Sequence, residues 1–379
     1  MAKGIPKRRV LHVGPLPPPI GGMAMNVQRY LQSDVTRQCD VRQVNSDLIG
    51  KTFRSGFLRT LLNLVNALIL LGLFVTRLVT WRPELVHVRT NSFTGFYEKS
   101  VLAVLARLAG RRVIMHIHGG AFRDFYVGSP GWQRRLILRC LLANHRVVAL
   151  SEQMRAVLLE IGLPAERIAV IENAVFLPEV TIWDRGGGRQ VPTPADRPLT
   201  VIFLNRIVAE KGVLELVEAM AELGHSGKAV RCRIYGPESP ICDQLRQRIS
   251  AEGLTDRIEL AGAVWDRQKE EAFLSADIYI LASYVEGMPI SLLEAMSYGL
   301  PCVVTPVGGV PSVIADEVNG LLVPVKDSQS LARAILRLTE DAALRRRLGS
   351  RARETIVARF NWEISAQKII ALYNDVLRG

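Results

Sequence analysis

Along the chain, short apolar, β-branched runs alternate with longer stretches of helical period. In the first half the runs cover residues 10–14, 41–45, 85–88, 113–118, 146–150 and, more weakly, 168–171. In the second half they cover 200–204, 231–235, 258–260, 278–281, 302–305 and 320–323. Such β–α alternation predicts parallel sheets with helices on both faces. Between the two sets, Gly186-Gly187-Gly188 is followed by Pro192 and Pro194, a composition that reads as a linker. The expected fold class is α/β, with two Rossmann-like domains hinged near residues 176–198.

One helical stretch stands apart. Residues 57–81 carry an uncharged run from 60 to 76 between Arg59 and Arg77, at the short edge for a membrane span. Thr60, Asn63 and Asn66 fall on one side of it, so a buried amphipathic helix or one lying in a membrane interface fits better than a spanning one.

Composition narrows the classes. With 49% hydrophobic and 22% charged residues, the 379-residue chain can bury a sizeable core, which excludes wholesale disorder. Five cysteines without a C-x-x-C pair fit buried thiols in a reducing compartment, and neither a disulfide scaffold nor a zinc site. The basic start is followed by no long apolar segment, so no secretory signal is expected. The net charge of +12 is uneven: residues 1–180 hold 24 Lys and Arg against 11 Asp and Glu, and the rest hold 24 against 25. The first half therefore calls for an anionic partner, with nucleic acid, anionic lipid and a phosphorylated substrate all open.

Parallel sheets bind ligands beyond the carboxyl ends of their strands, so the residues following each run are the candidates. After the first run, Gly21-Gly22 precede a helix and offer backbone N–H groups to an anion, without forming G-x-G-x-x-G. After the fourth, His118 precedes Gly119-Gly120, and residues 121–131 read as a mobile loop. In the second half, Arg206 and Lys211-Gly212 flank a strand-to-helix turn; a cation at a helix start opposes the dipole unless an anion such as pyrophosphate binds there. The most informative stretch is Glu286-Gly287-Met288-Pro289-Ile290, leading into a helix to about Tyr298 that carries Glu294. Pro289 suits the first helical turn, and Ser291, Glu294 and Ser297 share a face.

Together, Glu286 and Glu294 in E-x7-E spacing, Arg206 with Lys211-Gly212, the Gly21-Gly22 loop and His118-Gly119-Gly120 resemble the retaining glycosyltransferases of family 4, including those of bacterial polysaccharide assembly. The resemblance implies the GT-B fold, two Rossmann-like domains facing across a cleft. It implies an acceptor domain at 1–178 plus 360–379, a linker at 179–198 and a donor domain at 199–359. By the same resemblance, Arg206 and Lys211 bind the donor diphosphate, Glu294 the ribose, and Glu286 the transferred sugar with the N–H groups of residues 287–290. Gly236, Ala263 and Val264 line the nucleotide, Gly21 and Gly22 approach the phosphates, and His118 lies near the reacting sugar. Asn205, Ala282 and Ser312 depart from the usual glycine, proline and acid.

The expected activity is transfer of a hexose-type sugar from a nucleotide diphosphate to a polyprenyl-linked or other glycan acceptor in cell-surface polysaccharide synthesis. Arg206, Lys211 and helix amino ends are placed to stabilise the leaving diphosphate, so neither a metal nor another cofactor is expected. The basic first half beside the 57–81 helix suits an anionic membrane, implying a cytoplasmic enzyme peripheral to that membrane's inner face. Other GT-B activities, phosphorylase or sugar-nucleotide epimerase, are the alternatives. A nucleic-acid partner is not expected, because the basic residues are dispersed and no binding motif accompanies them.

Overall fold

The computed structural model describes residues 7–17, 21–47, 57–178, 197–225 and 229–379, apart from the side chains of 57–60 and 225. Residues 184–194, the glycine-then-proline stretch, lie outside the described residues. The chain divides into two units, Met1–Ala174 with Trp362–Gly379, and Val175–Asn361. Sequence reasoning set these limits at 178 and 360; Val175 N donates to Phe360 O at 2.9 Å, which ties both residues to the second unit.

The first unit contains β1 (Arg8–Gly14), α1 (Gly22–Gln32), α2 (Asp34–Gln38), β2 (Cys39–Asn45), α3 (Phe57–Thr80), β3 (Leu85–Thr90), α4 (Thr94–Leu108) and β4 (Arg112–Ile117). It continues with α5 (Phe122–Val127), α6 (Gly131–Leu142), β5 (Arg146–Ala149), α7 (Glu152–Glu160) and β6 (Ile168–Val170). Its sheet is parallel, in the order β2-β1-β3-β4-β5-β6. The second unit contains β7 (Leu199–Leu204), α8 (Val213–His225), β8 (Val230–Tyr235), α9 (Ile241–Ala251), β9 (Ile258–Gly262), α10 (Asp266–Ser275) and β10 (Ile278–Leu281). It closes with α11 (Ile290–Ser297), β11 (Cys302–Val304), β12 (Leu321–Leu322), α12 (Ser328–Glu340) and α13 (Ala342–Arg359). This sheet is also parallel, in the order β12-β11-β10-β7-β8-β9. The last helix, α14 (Trp362–Arg378), belongs to the first unit, where Trp362, Ala366, Ile369 and Tyr373 pack with Val10, Leu85 and Ile114 of the sheet.

Central strands such as β3 and β10 are buried throughout because both faces are covered, whereas β2 and β8 carry exposed charged positions. Two departures from the sequence reading have simple causes. Residues 121–131 are largely helical and not an open loop: α5 buries Phe122 and Phe125 against Phe96. The 57–81 helix forms as α3, but only a narrow stripe of it enters the core: Leu70, Phe74 and Leu78, at four-residue spacing. Among its described side chains, eight other large apolar residues are exposed, Leu68 at 59% and Val79 at 63%. Its segment Leu61–Thr80 is long and apolar enough to cross a membrane.

Candidate active site

In a parallel sheet the ligand crevice opens where the strand order reverses. In the second unit the chain runs outward from β7 to β8 and β9, then from β10 to β11 and β12, so the reversal lies between β7 and β10. After β7, Asn205 Oδ1 accepts the Arg206 N–H at 2.8 Å, and a single 3₁₀ turn covers Ala209–Lys211. Gly212 follows at φ 70°, and a Cβ there would lie 2.0 Å from Ala282 O. Only glycine lets this turn lie against the end of β10.

That close approach carries Lys211 to the segment after β10. Lys211 Nζ donates to Glu286 Oε1 at 2.6 Å and to Val285 O at 3.2 Å. Ser283 Oγ donates to the same Oε1 at 2.8 Å. Glu286 is 8% exposed, and its Oε2 accepts no hydrogen bond among the described residues. Sequence reasoning treated Lys211 as a point charge waiting for phosphate. Here the buried ammonium is held by a carboxylate, as a desolvated charge requires. Arg206 is the uncommitted cation: it is exposed, and its guanidinium has no ion-pair partner among the described residues.

The Glu286 turn is fixed from behind by the loop after β11. Gly309 N donates to Gly287 O at 2.5 Å, and a Cβ on Gly308, at φ 54°, would lie 1.7 Å from Glu286 O. Met288 is buried, and Ile290 opens α11. Pro289 is the N-cap, one residue outside the predicted first turn, because its ψ of 118° is extended. No side chain among the described residues caps α11, whose leading N–H groups, like those of any helix, have no intrahelical acceptor. Glu294 is buried, and Lys269 of α10 donates to its Oε1 at 2.6 Å. Ser291 and Ser297 do not line a solvent-facing stripe: Tyr279 Oη donates to Ser291 Oγ at 2.8 Å, and Ser297 Oγ donates to Glu294 O at 2.7 Å. At the other side of β7, Gly236 N donates to Gly262 O at 2.9 Å, and a Cβ on Gly236 would meet Asn205 O at 2.1 Å. The turns after β7, β8 and β9 are thereby brought together, with Ala263 and Val264 partly buried beside them.

In the first unit the order reverses between β1 and β3. Gly21 is the N-cap of α1 and Gly22 its first residue; both are exposed, with open space where a Cβ would stand. His118 is the first residue after β4, and its N donates to Thr90 O at 2.8 Å. Behind it lies a buried polar network. Arg89, 1% exposed, donates from Nε to His12 Nε2 at 2.9 Å and from one terminal nitrogen to Asn26 Oδ1. The same nitrogen lies 3.2 Å from His118 Nε2. His87 lies 2.6 Å from Tyr373 Oη and 3.3 Å from His116 Nδ1. Burial holds all four of His12, His87, His116 and His118 well below the ordinary imidazole range, and the Arg89 charge adds to this at each. Burial brings the Arg89 guanidinium down to about 10.

The predicted residues thus fall into two sets. Gly21, Gly22 and His118 belong to the first unit; Arg206, Lys211, Gly236, Ala263, Val264, Glu286 to Ile290 and Glu294 belong to the second. Sequence reasoning missed Ser283 and Lys269, which hold the two carboxylates, and the Arg89 network. Polar residues at alternate positions inside otherwise apolar strands, His12, His87, Arg89 and His116, were the available signal.

Comparison with known proteins adds the following. Residues 21–174 match the family model of the glycosyl transferase 4-like domain, and residues 188–355 match that of the glycosyl transferases group 1. The putative teichuronic acid biosynthesis glycosyltransferase TuaC of Bacillus subtilis is 31% identical over 78% of this chain and 72% of its own. The Escherichia coli UDP-Gal:alpha-D-GlcNAc-diphosphoundecaprenol alpha-1,3-galactosyltransferase is 24% identical over 98% of both chains. The crystal structure of Anabaena HepE in complex with UDP superposes with a TM-score of 0.74 at 18% identity, over 97% of this chain and all of that one. With two parallel α/β sheets, paired carboxylates after β10 and family matches across both units, the chain belongs to the family 4 glycosyltransferases of GT-B fold.

Proposed function

We propose that this enzyme is a retaining glycosyltransferase that moves a hexose-type sugar from a nucleotide diphosphate to a polyprenyl-linked glycan in cell-surface polysaccharide synthesis. The observation that carries the reading is the Glu286 carboxylate at the strand-order reversal, anchored through Oε1 and open at Oε2. An oxygen so held is an acceptor ready for a sugar hydroxyl, and the uncapped amino end of α11 beside it suits negative charge. Arg206 and Lys211 are assigned to the diphosphate, and Lys211 also holds Glu286. Glu294 is assigned to the ribose and His118 to the transferred sugar.

In the proposed step the C1–O bond to the β-phosphate breaks and the acceptor oxygen bonds to C1 on the same face. The acceptor proton passes to the departing phosphate oxygen. Arg206 and the α11 amino end stabilise the charge that develops there, and no divalent ion is assigned a part. The relatives named above include one whose name specifies a diphosphoundecaprenol acceptor, which supports a lipid-linked acceptor here. The unburied apolar face of α3, with Val101, Val104 and Leu108 exposed on the contacting α4, supports attachment to a membrane surface. The excess positive charge of residues 1–180 supports an anionic one on the cytoplasmic side.

Calorimetric titration with UDP, GDP and ADP tests the donor site. One nucleotide should bind, without added metal and in the presence of chelator. Arg206→Ala should weaken that binding by about 30-fold, since a charge-assisted phosphate contact is worth about 2 kcal/mol. Unchanged affinity in this variant overturns the phosphate assignment. The anomeric configuration of the first product, read by NMR, tests retention.

A further inference from the structure

We infer that Arg89 is a positioning residue for His118, fixing its imidazole as the neutral tautomer protonated on Nδ1. A guanidinium has five donors and no acceptor, so every polar atom that hydrogen-bonds to it must accept. The atoms around Arg89 are His12 Nε2 at 2.9 Å, Asn26 Oδ1, and His118 Nε2 at 3.2 Å. An imidazole nitrogen that accepts is unprotonated, so the neutral ring carries its proton on the other nitrogen. For His12 this can be checked within the structure: its Nδ1 lies 2.6 Å from Gln43 Oε1, an acceptor that requires the N–H there. The same reasoning places the His118 proton on Nδ1, which has no hydrogen-bond partner among the described residues.

The setting makes this tautomer durable. Arg89 stands on β3 at the reversal of the first sheet, its guanidinium 5.4 Å from the Tyr30 ring centroid. The titratable groups that act on or pack against His118 are Arg89 and His87 on β3, His12 on β1 and His116 on β4. None of these is a carboxylate, so nothing in the set favours an imidazolium. His116 is packed against His118 with ring centroids 4.3 Å apart, and Asn26 is itself held by Asn173, its Nδ2 donating at 2.9 Å. The consequence for the reaction rests on the reading of His118 as a substrate-facing residue: it would offer a neutral N–H to a sugar hydroxyl oxygen, and neither a base nor an imidazolium. The tautomer does not depend on that reading.

The test uses the ligand-free full chain with ¹⁵N-labelled histidine. There are six histidines, so long-range ¹H–¹⁵N spectra are tractable, with His118→Gln identifying the His118 signals. The expected spectrum shows His118 with a protonated Nδ1 and no titration between pH 8 and 5.5. A protonated Nε2, or a titration midpoint near 6.5, overturns the inference. In folded Arg89→Met the His118 ring should lose its single tautomer while burial still keeps it neutral; retention of the sole Nδ1-protonated form there also overturns the inference. If Arg89→Met does not fold, the wild-type spectrum decides. A protein with the expected tautomer and no transferase activity would leave this inference standing and remove the proposed function.

Discussion

Mild acid should loosen the first unit well before the second. His12, His87 and His116 are each at most 3% exposed, and burial, reinforced by Arg89, keeps their folded-state pKa well below the ordinary 6.5. In the unfolded chain these rings protonate normally. Below about pH 6.5 the unfolded state therefore binds more protons than the folded one, and stability falls as pH falls. Each ring contributes about 1.4 kcal/mol between pH 7.5 and 5.5, so three give about 4 kcal/mol, a large part of a typical unfolding free energy. His118 and His145 are left out because both are only partly buried and open to screening solvent, although burial and then Arg107 bring His145 down to about 4. The second unit has one histidine, His225. Its lowered carboxylates, Glu317 through Arg337 and Asp327 through Ser330, lose their stabilisation only below the ordinary carboxylate range, outside this window. Since two units need not unfold together, the assay is native hydrogen exchange read by peptide mass, corrected for the intrinsic pH effect. Protection in β1, β3 and β4 should drop by roughly a thousandfold relative to β7, β8 and β10. Equal loss in both sheets, or none in either, refutes the neutral-cluster argument.

Other expectations follow from single contacts. Lys211→Ala leaves the Glu286 carboxylate buried without its cation and should cost about 3 kcal/mol of stability by urea unfolding, whereas Lys211→Met with Glu286→Gln should recover most of it. Gly308→Ala forces a Cβ toward Glu286 O; the loop should shift and donor affinity fall at least tenfold by calorimetry, with little loss in the first unit's exchange protection. Leu64→Glu with Leu68→Glu, both exposed positions of α3, should abolish pelleting with anionic vesicles and leave nucleotide binding intact.

Much of the architecture is legible in the residues because parallel strands covered on both faces must be apolar throughout, and each of the twelve runs became a strand. Limits were less so: 113–118 overruns β4 by one, since His118 continues the apolar alternation but lies past the last ladder pair. The site's backbone was readable from glycines at strand ends. Its electrostatics were not. Lys211 and Glu286 are 75 positions apart, and their pairing depends on β7 and β10 lying side by side, which no local pattern encodes. For the same reason Lys269 could not be matched to Glu294, nor Arg89 to His118. A buried cation in a strand was visible as a breach of the apolar rule, but its partners came from another strand, a helix and the turn after a third strand.

The place of α14 has a consequence for biosynthesis. Tyr373, Trp362 and Ile369 complete the first unit's core, yet in the chain they follow the whole of the second unit. A nascent chain emerging amino end first therefore cannot finish the domain it began with. The second unit, continuous from Val175 to Asn361, is the one able to close early. Until residues 362–378 leave the ribosome, Val10, Leu85 and Tyr30 lack their cover, and His87 lacks the Tyr373 hydroxyl. During that interval the growing protein presents the kind of sticky surface that chaperones recognise, and a prematurely terminated message would yield a product with a finished back half and an unsealed front.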